Sequence, residues 1–362
     1  MSNDQQPTVA LTVPNMNNGP VLDLFFEKLR ANTTYPRIEV VVVDDGSTDD
    51  SVAVLRRWRD CGAFERFTLV EQENQGVIAA FNRALAAGSS EIVVRLDGDA
   101  TIETPGWLER MLAFHRSDER IGITVAQIVF ETGLIHSLGR NLVGAAGLHD
   151  RGTVPTEPPG RRTLDSNVRR FRLEQTPVAL EIAEVDSALG CCTMFSRALA
   201  DEIGGLDPRY APVWIEDDDF GFAARTLDRK VFVFPEVEVV HWTETRNPRG
   251  GRSLKKASES QRRFAKLLPD SIRGRMRSAL KIGHDAPWRV ELLQRHYASW
   301  EVKWGFNPIN PDLEQIARRY QGSEVLWATE PERKRAGEEI IAAYRDLSRA
   351  VSSGRKGPRM ML

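Results

Sequence analysis

Three clusters of acidic residues contain the side chains of this sequence that could carry out chemistry. They are D-D-G-S-T-D-D at 44–50, D-G-D at 97–99 and E-D-D-D at 216–219. One small residue separates the two carboxylates of the second cluster, so both can reach the same hard cation. Mg²⁺ or Mn²⁺ held in this way keeps open positions for phosphate oxygens. The third cluster has more acids than a first helical turn needs, and their mutual repulsion favours a raised pKa, which suits a general base.

The first cluster directly follows an apolar run at 40–43. Gly46 permits a tight turn, and Ser47 and Asp50 have the spacing of a capping box for the next helix. A carboxylate at the mouth of a sheet can also accept an N–H of a pyrimidine base or bind a ribose hydroxyl. Turn and cap chemistry is the simpler interpretation, but it does not account for two adjacent acids, Asp44 and Asp45, after an apolar strand.

His241 follows the third cluster, after two short predicted strands. A lone histidine at a strand end is more often a hydrogen-bonded structural residue, but neutral imidazole also binds Mn²⁺ alongside carboxylates. The three cysteines, Cys61, Cys191 and Cys192, have the spacing of neither a disulfide framework nor a zinc site. Buried, inert thiols are the expected state of Cys191 and Cys192.

Alternating apolar patterns predict the elements that position these clusters. The run at 40–43 is apolar on both faces, so its strand is expected inside a parallel sheet covered by helices. The order of strands and helices indicates a doubly wound α/β fold whose ligand crevice lies at the carboxyl ends of the strands. The predicted strands are 9–13, 38–43, 68–70 and 91–96, and the predicted helices are 21–29, 51–58 and 77–87.

The second half of the chain is less regular. A long loop is predicted at 134–172, where Gly, Pro, Arg and Asp are mixed. Past residue 246 the β pattern fades, so we expect two regions: an α/β domain at 1–245 and a helical C-terminal region at 246–362. The predicted strands are 178–185, 231–234 and 237–240, the last two separated by Pro235, and the predicted helices are 197–203, 216–227, 258–268, 290–304, 313–320 and 331–350.

The overall composition is that of an ordinary soluble protein, with 362 residues, 41% of them hydrophobic, and a net charge of -2. The start is polar and no run of about 18 apolar residues occurs. We therefore expect a cytoplasmic protein. Signatures of dinucleotide-binding, P-loop, serine-hydrolase and zinc-protease sites are missing, which removes support for those classes.

The charge is unevenly distributed. Thirteen Lys or Arg and three Asp or Glu lie at 246–289, which leaves the rest of the chain at about -12 against a total of -2. Such a basic segment can contact phosphate, an anionic membrane surface or an acidic polymer. A solvated helix face is an equally good interpretation, and no nucleic-acid partner is expected.

In their order and spacing, the motifs resemble those of glycosyltransferase family 2, the inverting nucleotide-sugar transferases of the GT-A fold. The resemblance covers residues 8–242 and is greatest to members that transfer rhamnosyl or galactofuranosyl units onto bacterial surface glycans. It rests on V-V-V-V-D-D-G-S-T-D-D-S at 40–51, E-N-Q-G-V-I-A-A-F-N at 73–82, V-V-R-L-D-G-D-A at 93–100, G-G-L-D at 204–207, and W-I-E-D-D-D-F-G-F-A-A-R at 214–225 followed by the strand that ends in H-W.

The resemblance implies a role for individual residues. Asp217 corresponds to the catalytic base, and Asp99 and His241 to the groups that hold Mn²⁺ or Mg²⁺ at the diphosphate. Trp214 and Glu216 would lie on the acceptor side. The residues implied in donor binding are Pro14 and Asn15 at the first strand end, Asp44 and Asp45 at the base and ribose, Asn74 and Asn82 in support of the nucleotide pocket, and Asp97 near the ribose. A separate hypothesis comes from the basic Gly-rich loop N-P-R-G-G-R just past His241, whose Arg249 and Arg252 would close over the diphosphate, because the forked donors of arginine suit phosphate.

The function implied is metal-dependent transfer of a sugar from a UDP- or dTDP-sugar to a hydroxyl of a glycan, lipid-linked glycan or other glycoconjugate, with inversion at the anomeric carbon. Contact of 246–289 with the inner face of an anionic membrane is a further expectation. One alternative is a sugar nucleotidyltransferase, which ordinarily has a Gly- and Arg-rich phosphate loop where this chain has P-N-M-N-N-G. A catalytically silent nucleotide- or carbohydrate-binding protein is the other.

Overall fold

The computed structural model describes residues 6–143, 147–150, 180–242, 287–308, 312–328 and 330–352. Strands and helices alternate in its first hundred residues, as the apolar patterns predict. These elements are β1 (Val9–Asn15), α1 (Gly19–Asn32), β2 (Ile38–Asp45), α2 (Ser51–Asp60), β3 (Phe67–Gln72), α3 (Val77–Ala87) and β4 (Ile92–Leu96).

The apolar run of β2 is buried because helices cover both faces of the sheet. Val40 and Val42 belong to the main core together with apolar side chains of α1. Val41 and Val43 point to the opposite face, where they pack with Ala80 and Ala84 of α3. β2 lies between β1 and β3 and is parallel to both, so the prediction of an internal, helix-covered parallel strand is confirmed.

The remaining described strands extend the same sheet. They are β5 (Ala100–Ile102), β6 (Ile121–Phe130), β7 (Ile135–Ser137), β10 (Ala183–Val185), β11 (Cys192–Ser196) and β12 (Lys230–His241), while β8 (Arg140–Val143) and β9 (Gly147–Asp150) form a separate pair. The main order is β10-β12-β6-β11-β4-β1-β2-β3. The strands from β4 to β3 are parallel; beyond β4 the sheet is mixed, because β11 runs antiparallel between β4 and β6.

Helices cover the second half of the sheet and continue to the end of the described chain. They are α4 (Trp107–His115), α5 (Arg197–Ile203), α6 (Glu216–Thr226), α7 (Pro287–Trp304), α8 (Leu313–Arg319), α9 (Glu324–Trp327) and α10 (Glu330–Ser352). Trp300 and Trp304 of α7 pack against Phe222 of α6. Tyr344 of α10 packs against Phe114 and Phe234. The described C-terminal helices therefore share one hydrophobic core with the sheet, and the boundary near residue 245 stays a prediction.

Several predicted elements differ from the structure. The loop predicted at 134–172 contains β7, β8 and β9 in its described part, and the strand predicted at 178–185 is formed at 183–185. The two strands predicted around Pro235 are one strand, β12, because an irregularity in its pairing with β6 between Phe234 and Glu238 accommodates the proline. The helix predicted at 258–268 lies outside the described residues. No described helix is both long enough and apolar enough to cross a bilayer.

Candidate active site

The D-G-D cluster forms a tight turn between β4 and β5. The N–H of Asp97 donates to the carbonyl of Cys191 at 3.1 Å, and the N–H of Trp242 donates to the carbonyl of Asp99 at 2.8 Å. A Cβ at position 98 would lie 2.7 Å from Oδ1 of Asn15, so only glycine allows the turn to approach the end of β1 this closely. The turn is thereby fixed against the carboxyl end of the parallel sheet.

His241 lies beside this turn because β12 pairs with β5, which places it opposite Ala100. Its Nε2 is 3.3 Å from Oδ1 of Asp99. Its ring stacks on that of His136 with 4.9 Å between centroids, and the two Nδ1 atoms are 3.2 Å apart. The structure thus brings together the two residues implied as metal ligands, and it adds a second histidine that the sequence analysis missed.

A further set of donor atoms surrounds the same point. One ligand atom each from Asp97, Cys191 and His241 lies within 4.8 Å of the other two. Carboxylate oxygen and imidazole nitrogen both bind divalent cations such as Mn²⁺. Asp99 is almost fully buried, while the side chains of Asp97 and His241 are 24% and 14% exposed. The donor set therefore fits a divalent cation that enters from the side of Asp97 and His241.

Arg95, on β4, connects the D-G-D turn to the acidic cluster of α6. Its guanidinium lies 2.6 Å from Oδ1 of Asp217, 3.6 Å from Oδ1 of Asp97 and 3.8 Å from Oε1 of Glu216. Burial alone would lower the pKa of Arg95, but the charges of the three acids raise it above its ordinary value. Three carboxylates from two parts of the chain therefore converge on one permanently charged group.

Asp217 is held on both of its oxygens. Oδ1 accepts from Arg95, and Oδ2 accepts the backbone N–H of Gly190 at 2.9 Å. A Cβ at position 190 would lie 2.4 Å from both the Arg95 guanidinium and Oδ1 of Asp217, so glycine is required for this approach. Burial raises the pKa of Asp217, against the opposing effects of Arg95 and of the Gly190 hydrogen bond.

Glu216 lies beside Asp217 and is also buried. Burial, followed by the charge of Asp217, raises its pKa to about 8, while Arg95 acts in the opposite direction. Its Oε2 has no hydrogen-bond partner among the described residues. Burial thus raises the pKa of both acids of this pair.

The other two acids of this cluster have structural partners. Asp218 accepts from Ser187 at 2.5 Å and pairs with Arg140 at 2.7 Å. Asp219 pairs with Lys303 of α7 at 2.6 Å and accepts from Nε1 of Trp304 at 2.7 Å. The four consecutive acids thus divide into two that face Arg95 and two that anchor α6.

The segment that leads into α6 has an unusual backbone. Trp214 and Ile215 have φ values of 81° and 72°, a left-handed conformation that costs a residue other than glycine about 1–3 kcal/mol. His296 of α7 contacts the carbonyl of Trp214 through Nδ1 at 3.1 Å, and the ring of Trp214 stacks on that of Trp288 at 5.7 Å. Helix α7 therefore stabilises the segment that presents Glu216 and Asp217.

The residues implied in donor binding occupy the neighbouring strand ends. Pro14 and Asn15 close β1, where Asn15 is paired in register with Asp44 and donates to its Oδ1 at 2.8 Å. The carboxylate of Asp45 accepts from the side chain of Gln72 and from the backbone N–H groups of residues 75 and 76. Asp44 and Asp45 therefore both accept hydrogen bonds from neutral donors within the protein.

Asn74 and Asn82 lie in different places, because Asn74 precedes α3 and Asn82 is within it. Asn74 is next to the tight turn at Gly46, whose added Cβ would meet the backbone nitrogen of Asn74 at 2.8 Å. Asn82 instead makes two hydrogen bonds to the backbone of Leu206, of 2.7 and 2.8 Å, which hold the G-G-L-D turn. Arg252 lies outside the described residues.

Sequence reasoning missed Arg95, Gly190 and His136 as members of this site. Arg95 was visible as a charged residue within the apolar run V-V-R-L, and a charge in a buried strand usually has an ionic partner. Its partner Asp217 is 122 residues further along the chain, so the pairing itself has no local signal.

The sequence profile of glycosyl transferase family 2 matches residues 11–204, which is more than half of the chain. The chain belongs to glycosyl transferase family 2. The match begins in β1 and includes the first two acidic clusters.

Curated proteins from several bacteria resemble parts of the chain. The O-antigen biosynthesis protein RfbC of Myxococcus xanthus is 22% identical over 243 residues, which cover 65% of this chain and 17% of RfbC. The putative glycosyltransferase EpsH of Bacillus subtilis (strain 168) is 34% identical over 108 residues, 30% of each chain. The chain thus spans less than a third of the length of either relative.

A solved structure has the same fold. The crystal structure of GalNAc-T7 with UDP, GalNAc and Mn²⁺ has a TM-score of 0.52 to this chain at 15% sequence identity, and the alignment covers 84% of this chain and 58% of the other. The fold is that of the GT-A glycosyltransferases, as the sequence motifs imply.

Proposed function

We propose that this family 2 glycosyltransferase transfers a sugar from a UDP- or dTDP-sugar to a hydroxyl of a glycan or glycoconjugate, with inversion and with the aid of a divalent cation. The observation that carries the proposal is the position of Arg95. Its guanidinium lies within 3.6 Å of the D-G-D turn and within 2.6 Å of Asp217. A phosphate-binding turn and an acid suited to deprotonate an alcohol therefore share one site.

The cation would be held by Asp99 and His241, with Asp97 adjacent. When bound, such a cation offsets the negative charge that develops on the leaving diphosphate. Asp99 and His241 also hold the turn in place, since Ala100 and His241 are paired across β5 and β12. We propose Mn²⁺ or Mg²⁺ as the cation.

For the donor nucleotide we propose the strand ends formed by Pro14, Asn15, Asp44 and Asp45, with Asp97 near the ribose. The contact between Asn15 and Gly98 supports this placement, because it brings β1 next to the D-G-D turn. Asn74 and Asn82 would act indirectly, by holding the loop beside Gly46 and the turn at Leu206. We propose that Arg252 contacts the diphosphate.

For the base we propose Asp217, which would take the proton of the acceptor hydroxyl as that oxygen attacks the anomeric carbon opposite the diphosphate. The hydrogen bonds from Arg95 and Gly190 fix its orientation, although they also lower its basicity. Glu216 is a second candidate because its pKa of about 8 is close to a working pH near neutrality. If Asp217 is the base, Glu216 orients the acceptor together with Trp214.

The class of acceptor and the cellular setting are also proposals. RfbC is named for O-antigen biosynthesis, which supports a surface polysaccharide or its lipid-linked precursor as acceptor. From the resemblance of the sequence motifs we propose a rhamnosyl or galactofuranosyl unit as the sugar transferred. We further propose a cytoplasmic protein in two regions divided near residue 245, with 246–289 in contact with an anionic membrane.

The test is incubation of the full chain with a panel of UDP- and dTDP-sugars and Mn²⁺, followed by mass spectrometry of the products. Release of the nucleoside diphosphate, abolished in Asp217→Asn but unchanged in the exposed control Asp201→Asn, would support the proposal. Release of pyrophosphate would instead indicate a nucleotidyltransferase. Donor binding without turnover by any donor would indicate a binding protein.

A further inference from the structure

Cys191 lies where the chain enters β11, immediately beside the D-G-D turn. Its side chain is buried, and its carbonyl accepts the N–H of Asp97 at 3.1 Å. Its Sγ, a carboxylate oxygen of Asp97 and a ring nitrogen of His241 all lie within 4.8 Å of one another. This thiol is therefore one of three different kinds of donor atom around one point.

We propose that Cys191 is a ligand of the divalent cation and that its sulfur makes the site prefer Mn²⁺, Co²⁺ or Zn²⁺ over Mg²⁺. The inference rests on the proposed function in so far as this cation is the one that assists sugar transfer. It replaces our expectation from the sequence that Cys191 is an inert buried thiol.

The spacing of the three donors is close to that around a bound ion. Bonds of about 2.0–2.3 Å to oxygen, nitrogen and sulfur at tetrahedral angles place the donor atoms about 3.3–3.8 Å apart. The observed upper limit of 4.8 Å exceeds this by about 1 Å. The three side chains would therefore have to bring their donor atoms closer by that amount when a cation binds.

The accessibility of the donors is also suitable. Cys191 is only 3% exposed and could not bind an ion from solvent by itself. Asp97 and His241 are the more exposed members and lie on the side from which an ion can enter. Cys192 provides an internal comparison: it is fully buried, lies within β11 opposite Leu96, and is absent from the group of donor atoms.

The chemistry of the donors determines which cation they select. Mg²⁺ demands near-octahedral oxygen ligands and loses its water reluctantly. Thiolate and imidazole are softer donors that bind Zn²⁺ and neighbouring transition metals better than Mg²⁺. A site with one sulfur and one nitrogen therefore discriminates against Mg²⁺ although the flanking D-G-D turn is a typical Mg²⁺ ligand.

The inference is tested by titration of the full chain with Co²⁺ and measurement of its absorption spectrum. We expect a sulfur-to-cobalt charge-transfer band in the wild-type protein and in Cys192→Ala, and its loss in Cys191→Ser. X-ray absorption at the cobalt edge of the wild-type protein provides a second measurement, which needs no variant to fold. We expect it to detect one sulfur neighbour.

Selectivity is measured by calorimetry with Mn²⁺ and Mg²⁺. We expect Cys191→Ser, in which a hard oxygen replaces sulfur, to reduce the preference for Mn²⁺ by at least about tenfold, comparable to other losses at metal sites. Cobalt bound with only oxygen and nitrogen neighbours, or a band that persists in Cys191→Ser, would overturn the inference. Sugar transfer with Mn²⁺ would still proceed in that case, so the proposed function would survive.

Discussion

Two pairs of adjacent acids, one at the end of β2 and one at the start of α6, differ in the groups that surround their carboxylates. Asp44 and Asp45 accept hydrogen bonds from neutral side chains and backbone N–H groups within the protein. Glu216 and Asp217 are buried around a single guanidinium, which Asp97 also approaches.

The difference separates a pair at the end of β2 from a pair in the first turn of α6. Neutral donors satisfy the first pair, which holds β1, β2 and the loop before α3 in place. The second site has three negative groups for one positive group, and this excess favours uptake of a proton or a cation. Position at the end of a strand therefore does not by itself assign a catalytic role.

The largest expected effect concerns Asp217. Asp217→Asn removes the proposed base while keeping the shape of the side chain, so we expect kcat to fall by about 10²–10⁴-fold. The dissociation constant of the donor should change little, because Asp217 would act on the acceptor. Steady-state kinetics and donor titration check both numbers.

Glu216→Gln in the same assay distinguishes the two acids. If Asp217 is the base, the Gln variant should lose less turnover than the Asn variant. A larger loss in Glu216→Gln, together with loss of the acid limb of the pH–rate profile, would transfer the role to Glu216.

The next effect is on stability. Arg95→Met leaves the buried Glu216 and the partly buried Asp217 and Asp97 without their common positive charge. We expect a loss of about 3–5 kcal/mol in the free energy of unfolding. Urea denaturation measures this loss. Arg120→Met provides the matched control, because Arg120 forms a more exposed ion pair with Asp118. Equal unfolding midpoints for the two variants would contradict the central position given to Arg95.

A smaller loss is expected in the first pair. Asp45→Ala removes the acceptor for the N–H groups of residues 75 and 76. Each donor left unsatisfied costs about 1–3 kcal/mol if it stays buried and less if water reaches it. Thermal denaturation without ligand gives the stability change, and donor titration of the same variant tests the proposed nucleotide contact. An unchanged melting temperature would show that these hydrogen bonds do not stabilise the loop.

A separate effect is the dependence of stability on pH. The pKa of Glu216 is raised in the folded protein to about 8 from an ordinary value of 4.5. The folded state thus binds more protons than the unfolded state between these values, and the contribution of Glu216 to stability is lost as the pH rises from about 4.5 to about 8. Metal-free Glu216→Gln should show a flatter profile in denaturation over this range. An identical slope in both proteins would indicate that Glu216 ionises normally.

The secondary-structure elements that could be predicted are those whose sequence pattern is local. The apolar spacing at 77–87 and 197–203 fixed both helices to the residue, since each ends at a glycine. β11 and the three-residue strand β5 gave no usable pattern, because their burial comes from neighbours far along the chain. Pro235 suggested a break that pairing with β6 on both sides overrides.

The residues of the candidate site also divide into those recognised from a local motif and those whose position depends on distant parts of the chain. The acidic clusters and His241 were recognised from motifs, and the contact between His241 and Asp99 agrees with the predicted pair. Which of the four acids of α6 face the site depends on Arg140, Ser187 and Lys303, all distant in sequence. The roles of all the predicted site residues stay predictions, and Arg252 lies outside the described residues.

The absence of a side chain at position 190 has a consequence for redesign of the protein. The N–H of Gly190 and the guanidinium of Arg95 donate hydrogen bonds to different oxygens of the Asp217 carboxylate. A single methyl group introduced there would act as a wedge between Arg95 and Asp217 and would leave every charge in place. A substitution at Gly190 would thus change the geometry of the contact between Arg95 and Asp217 without removing a charge from it.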